Sequence, residues 1–125
     1  MKNYSKQREA ILEVLRSTDT HPTANWIYTK VREVIPNISL GTVYRNLSAL
    51  SKSGDILSIN VGDGFEHFDG DTKPHLHLHC QTCDCITDAW LNDDPLSEIV
   101  AKYHFEPKLS VYVVSGICEN CKKTN

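Results

Sequence analysis

From His67 to Asp88 the sequence reads HFDGDTKPHLHLHCQTCDCITD, and these 22 residues hold four of the six histidines and three of the five cysteines. Cysteine thiolates are soft metal ligands, whereas imidazole and carboxylate are borderline to hard. Two kinds of metal chemistry are therefore written into one short stretch. One is a sulfur site suited to zinc; the other is a nitrogen and oxygen site suited to Fe(II), Mn(II) or Zn(II).

Cys80 and Cys83 form one C-x2-C pair, and Cys118 and Cys121 form a second. Two such pairs supply four thiolates, the tetrahedral set of a structural zinc site with no position left for chemistry. The competing readings are two unrelated pairs or a redox dithiol. Cys85 is the odd thiol and is expected to be a small buried residue.

The second set rests on strand periodicity. PHLHLHC (74–80) alternates, so His75, His77 and His79 share one side of a strand and Leu76, Leu78 and Cys80 the other. ITDAW (86–90) returns as a strand and brings Asp88 back toward the histidines. Asp69 lies at the domain boundary. His21, in a break between helices, is a candidate fifth ligand, although a lone histidine is more often a capping or surface residue. His67 and His79 are spare ligands or supporting groups, and His104 is expected at the surface.

The elements that must position these groups follow from pattern. Residues 5–17 predict a helix capped by Ser5, and Thr23 caps a second with Trp26, Ile27, Val31 and Ile35 inward. Pro36 ends it. A third helix over 39–53 opens at Asn37 and Ser39 and stops at Gly54, with Val43, Leu47 and Leu50 inward. Its outer face carries Gly41, Tyr44, Arg45, Ser48 and Lys52. ILSINVG and FEHFD predict a hairpin through Gly62–Gly64. Three helices and a two-stranded wing are the order of a winged helix-turn-helix. Ser39, Thr42, Tyr44 and Arg45 are then the candidate DNA-contacting residues, since arginine grips guanine or phosphate through paired donors. A plain helical bundle with a solvated outer face is the competing reading. A short helix over 95–103, with Leu96, Ile99 and Val100 inward, and a strand over 109–116 complete the chain. The expected fold class is α+β, with a winged-helix DNA-binding domain over 1–65 and a small α/β metal-binding domain over 66–125.

Bulk properties fit two small domains. The net charge of −3 hides an asymmetry: residues 1–60 carry a balance of +3 and residues 61–125 one of −6. A basic front half and an acidic, ligand-rich back half suggest two jobs. No run of roughly 18 apolar residues exists, so no membrane span is expected. MKNYSKQREA lacks an apolar signal core, and the expected location is the cytoplasm, where paired cysteines more often hold metal than form disulfides.

Taken together, HPTANWIY, ISLGTVYRNL, HFDG, HLHLHCQTCDCITD and GICENC, in this order, resemble the ferric uptake regulator (Fur) superfamily of metal-dependent transcriptional repressors. The chain is most similar to its peroxide-responsive branch. The resemblance implies a winged helix followed by an α/β dimerisation domain, a homodimer, and a palindromic DNA operator. It implies structural zinc on Cys80, Cys83, Cys118 and Cys121. It places regulatory Fe(II) or Mn(II) on His21, Asp69, His75, His77 and Asp88, and it makes His21 or His75 the residue oxidised by peroxide. Asp at both carboxylate positions is the peroxide-sensor choice; iron-sensing relatives more often have Glu. Pro74 and Leu76 stand where many iron sensors carry ligands of an additional site. The chain departs in a short N-terminus that lacks the first helix of longer members, in Ser110 where many relatives have His, and in the added Cys85 and His79.

The alternative on the same fold is an iron- or zinc-responsive repressor acting by reversible metal binding. From other classes, two histidines and a carboxylate also describe non-haem iron oxygenases, but no substrate-pocket signature accompanies them, so no enzyme is expected. A zinc-stapled protein-interaction module is the third reading.

Overall fold

The computed structural model describes residues 2–123. The chain divides into two compact units, 1–72 and 73–125.

The first unit contains α1 (Lys2–Arg16), α2 (Ala24–Val31), α3 (Leu40–Lys52) and a hairpin of β1 (Leu57–Asn60) and β2 (Glu66–Asp69). Helical periodicity explains its core: Ile11 and Leu15 of α1, Ile27 and Val31 of α2, and Val43 and Leu47 of α3 are all buried, and Phe68 of β2 joins them. Truncating one such side chain, Leu47→Ala for example, costs about 2–5 kcal/mol through lost burial and the cavity left behind. The caps of two helices are as expected. Thr23 accepts from the Trp26 N–H, and Ser39 accepts from the Thr42 N–H at 3.1 Å, each satisfying one orphan donor of a first turn. Three expectations fail. α2 ends at Val31 with Arg32 as its C-cap, so Pro36 is not what stops it. Ser5 lies inside α1, which begins at Lys2. Trp26 points outward at 38% exposure, its ring beneath the Lys30 ammonium 5.5 Å from the centroid, while the smaller Ala24 is buried instead.

The hairpin pairs antiparallel with Leu57 opposite Asp69 and Asn60 opposite Glu66. Its turn uses Gly62 and Gly64 at φ 85° and 87°, a left-handed conformation that costs glycine nothing. Gly70 is required for a different reason. A Cβ there would sit 3.1 Å from the backbone carbon of Leu15, so glycine lets the exit from β2 lie against the end of α1.

The second unit is a three-stranded sheet in the order β4-β3-β5, where β3 is His75–Cys80, β4 Ile86–Trp90 and β5 Tyr112–Gly116. β3 runs antiparallel to β4 and parallel to β5. A short helix, α4 (Ser97–Lys102), precedes β5, and another, α5 (Glu119–Lys123), follows it. The expected inward face of α4 is not buried: Leu96 and Ile99 are 46% and 55% exposed. Spacing identifies an apolar stripe but not what covers it. Among the described residues, no helix is long and apolar enough to cross a membrane.

Candidate metal centres and nucleic-acid face

The four expected thiols meet at one end of the sheet. The Sγ atoms of Cys80, Cys83, Cys118 and Cys121 all lie within 4.8 Å of one another. β3 ends at Cys80, and the chain turns back through Asp84, whose φ of 61° allows the Cys80 N–H to reach the Cys85 carbonyl at 3.0 Å. The Gln81 N–H donates to the Gly116 carbonyl at 2.8 Å, which ties this knuckle to the end of β5. Cys118 follows directly, and α5 carries Cys121 round one turn. Zinc–sulfur bonds of about 2.3 Å in a tetrahedron place sulfurs about 3.8 Å apart. The Cys83–Cys118 separation is 3.9 Å, so the cluster fits zinc as it stands.

The electrostatics fit as well. The Cys118 and Cys83 N–H groups donate to Cys80 at 3.3 and 3.5 Å and pull its thiol down to about 6. Cys83 is lowered by the Cys85 N–H. Cys121 is pushed up to about 12, first by its bond to Cys118 and then by burial. Successive thiolates repel, so the last proton leaves only when a cation replaces it. Cys85 is exposed rather than buried. It sits beside Cys83, whose hydrogen bond, with some desolvation of the sulfur, raises its thiol to about 11.

On the other face of β3, His75 and His77 are buried with side chains 0% exposed. Asp88 stands directly opposite His77. Its Oδ1 is 3.2 Å from His75 Nε2 and 3.8 Å from His77 Nε2. His75 Nδ1 lies 2.7 Å from the Lys73 carbonyl and His77 Nδ1 3.2 Å from that of Tyr112. A carbonyl only accepts, so both Nδ1 atoms carry a proton, and both Nε2 atoms face Asp88. Metal-binding histidines have this arrangement, with the distal N–H held by a carbonyl that fixes tautomer and ring orientation.

The first unit holds a second His/Asp pair. His21 Nε2 is 3.4 Å from Asp69 Oδ2, and both residues are buried. His21 has φ 55°, a conformation costing a non-glycine residue about 1–2 kcal/mol. β2 holds it there. His67 Nδ1 donates to the His21 carbonyl at 2.8 Å, and the Phe68 N–H donates to the Pro22 carbonyl at 2.9 Å. His67 Nε2 in turn meets Asp63 Oδ2 at 2.7 Å. Burial works to raise the Asp63 carboxyl, but hydrogen bonds from His67 and the Phe65 N–H outweigh it and leave it lowered. His67 is therefore a supporting group. No spacing rule announces it, because its partner is a backbone carbonyl. His79 is likewise engaged, with Asp84 at 3.0 Å and Ser115 at 3.4 Å. His104 is exposed.

The expected DNA-contacting residues form a connected row at the start of α3. Ser39 and Thr42 hydroxyls are 2.8 Å apart, and Arg45 Nη2 donates to Thr42 Oγ1 at 3.0 Å. Tyr44 is 46% exposed. A helix N-terminus with hydroxyls and a pre-ordered guanidinium is suited to phosphate and base edges.

Residues 2–115 match the family described as "Ferric uptake regulator family". The peroxide-responsive repressor PerR of Staphylococcus epidermidis is 33% identical over 119 residues, spanning 94% of this chain and 79% of the relative. Among solved structures, the peroxide stress regulator of Campylobacter jejuni superposes with a TM-score of 0.82 at 27% identity, covering 95% of this chain and 91% of that one. The ferric uptake regulator of Helicobacter pylori superposes with a TM-score of 0.75 at 25% identity, covering 94% and 80%. Members bind operator DNA as dimers and are regulators rather than enzymes. On the family match, the sequence identity and the fold, this chain belongs to the ferric uptake regulator family of metal-dependent transcriptional regulators.

Proposed function

We propose that the protein is a peroxide-sensing repressor whose regulatory ion is held by His21, Asp69, His75, His77 and Asp88. The observation that carries this reading is the orientation of His75 and His77. Both rings are buried, both Nδ1 protons are held by carbonyls, and both Nε2 atoms face Asp88. The His21–Asp69 pair supplies the same ligand chemistry from the DNA-binding unit. Two imidazoles with a carboxylate, joined by an imidazole with a carboxylate, suit Fe(II) or Mn(II). The peroxide-responsive names of the relatives support the signal. Zinc on Cys80, Cys83, Cys118 and Cys121 is structural in this reading.

His21 couples ion binding to DNA binding. Its carbonyl is held by His67 of β2, and its imidazole would complete the ligand set, so the winged helix would answer to the ion. A closed homodimer then presents two copies of α3 to a palindromic operator in the cytoplasm, with Ser39, Thr42, Tyr44 and Arg45 at the DNA. Fe(II) held there would activate peroxide for O–O cleavage, chemistry that Mn(II) would not supply. One peroxide oxygen would replace the ring hydrogen between the two nitrogens of His21 or His75 and the other would leave as water, so the imidazole would lose a nitrogen donor, the set would break, and DNA would be released.

The test is a Mn(II) titration of wild type and His21→Ala, using DNA selected from a random-sequence pool by the Mn(II)-loaded protein. The substitution should abolish metal-dependent DNA binding while zinc content stays unchanged. Undiminished DNA binding by His21→Ala would overturn the coupling.

A further inference from the structure

Trp90 is the last residue of β4 and pairs across the strands with His75. Its indole stacks on the His75 ring, with centroids 4.3 Å apart and planes 25° from parallel. The His75 ring is also 4.3 Å from that of His77. Three rings are thus in contact in sequence. His75 and His77 are buried, whereas Trp90 is 55% exposed. A large aromatic residue left this open contributes little to a core, and its stack on His75 is a contact that orients the indole. It also places the most easily oxidised ring of the three at the outer end of the stack.

We infer that Trp90 is a further oxidation site, the solvent-facing outlet for oxidising equivalents produced beside His75. The inference rests on the peroxide-sensing reading above. The chemistry balances with one peroxide. Its O–O bond breaks, one oxygen replaces hydrogen on the indole five-membered ring to give an oxindole, and the other leaves as water. The indole loses two electrons and the peroxide gains two. Oxidation at Trp90 destroys no metal ligand. It therefore consumes peroxide without releasing DNA and sets the dose at which a histidine is lost.

The experiment uses the zinc-containing protein loaded with Fe(II) or Mn(II), treated with graded hydrogen peroxide and analysed by peptide mass spectrometry. Trp26, itself 38% exposed, is the internal control for oxidant free in solution. The expected result is one or two oxygens on Trp90 in the iron form, with Trp26 unmodified and the manganese form unmodified at both. Trp90→Phe keeps a stacked ring but removes the indole, and the peroxide dose that half-oxidises His21 or His75 should fall severalfold. Histidine oxidation with Trp90 intact would overturn this inference and leave the sensor reading standing. Equal oxidation of Trp26 and Trp90 would also overturn it. Absence of oxygen on every histidine and on Trp90, with iron shown to be bound, would overturn both.

Discussion

Replacing His67 by phenylalanine tests how the fold positions His21, the proposed metal ligand of the first unit. His67 Nδ1 donates to the carbonyl of His21, whose backbone sits at φ 55°, and Nε2 is anchored by Asp63. A net hydrogen bond contributes about 1 kcal/mol, and one involving a charged group about 1.5–3 kcal/mol. Only part of that reaches His21, because the Phe68 N–H still holds the Pro22 carbonyl. The left-handed backbone, which costs about 1–2 kcal/mol, is then free to relax. A loss of about 1.4 kcal/mol in positioning corresponds to about tenfold in affinity, the lower end of what supporting groups around metal ligands contribute. The assay is competition of Mn(II) against a fluorescent chelator, with zinc content measured on the same sample. The dissociation constant should rise about tenfold with zinc unchanged. Unchanged Mn(II) affinity would refute the claim that His67 positions His21.

Three further outcomes follow from the geometry. Cys121→Ser should leave the zinc site one thiolate short, and loss of zinc, read by metal analysis, should be accompanied by a large drop in thermal stability, because structural zinc contributes folding energy directly. Arg45→Ala should weaken binding to the selected DNA by about 1–3 kcal/mol if the guanidinium reads a base, measured by fluorescence anisotropy at fixed salt. The Tyr112 hydroxyl donates to Asp94 at 2.5 Å. That bond, with the Leu96 N–H, holds Asp94 below its usual 3.8, and Asp94 together with burial raises Tyr112 above its usual 10.0. The lowered carboxyl adds stability above pH 3.8 that is lost as pH falls through its folded value. The raised phenol adds stability below pH 10.0 that is lost as pH rises through its own. Tyr112→Phe should flatten thermal stability on both flanks.

What was legible in the sequence was what obeys a period or a fixed spacing. The alternation of HLHLHC predicts that His75 and His77 share a face and that Cys80 lies on the other, and the pleat of β3 does this. The C-x2-C pairs predict a meeting of four thiols because one turn and one helical turn each bring the second thiol back to the first. Asp88 was predictable as a residue on a returning strand. Three features carried no such signal. Trp26 fits a helical apolar pattern, yet aliphatic neighbours fill the core and the indole lies outside under Lys30. The stripe on α4 is exposed because periodicity identifies an apolar face but does not name its partner. His67 and Trp90 act through a backbone carbonyl and a ring stack, contacts set by strand register rather than by residue type.

The most direct test of the account is DNA release by peroxide in two metal forms of one preparation. The zinc-containing protein is loaded with Fe(II) or Mn(II), bound to the selected DNA, and treated briefly with hydrogen peroxide. The account predicts that only the iron form releases DNA, in proportion to oxygen gained by His21 or His75. If both forms keep their DNA and neither histidine gains oxygen, peroxide is not the signal, and reversible metal binding takes its place.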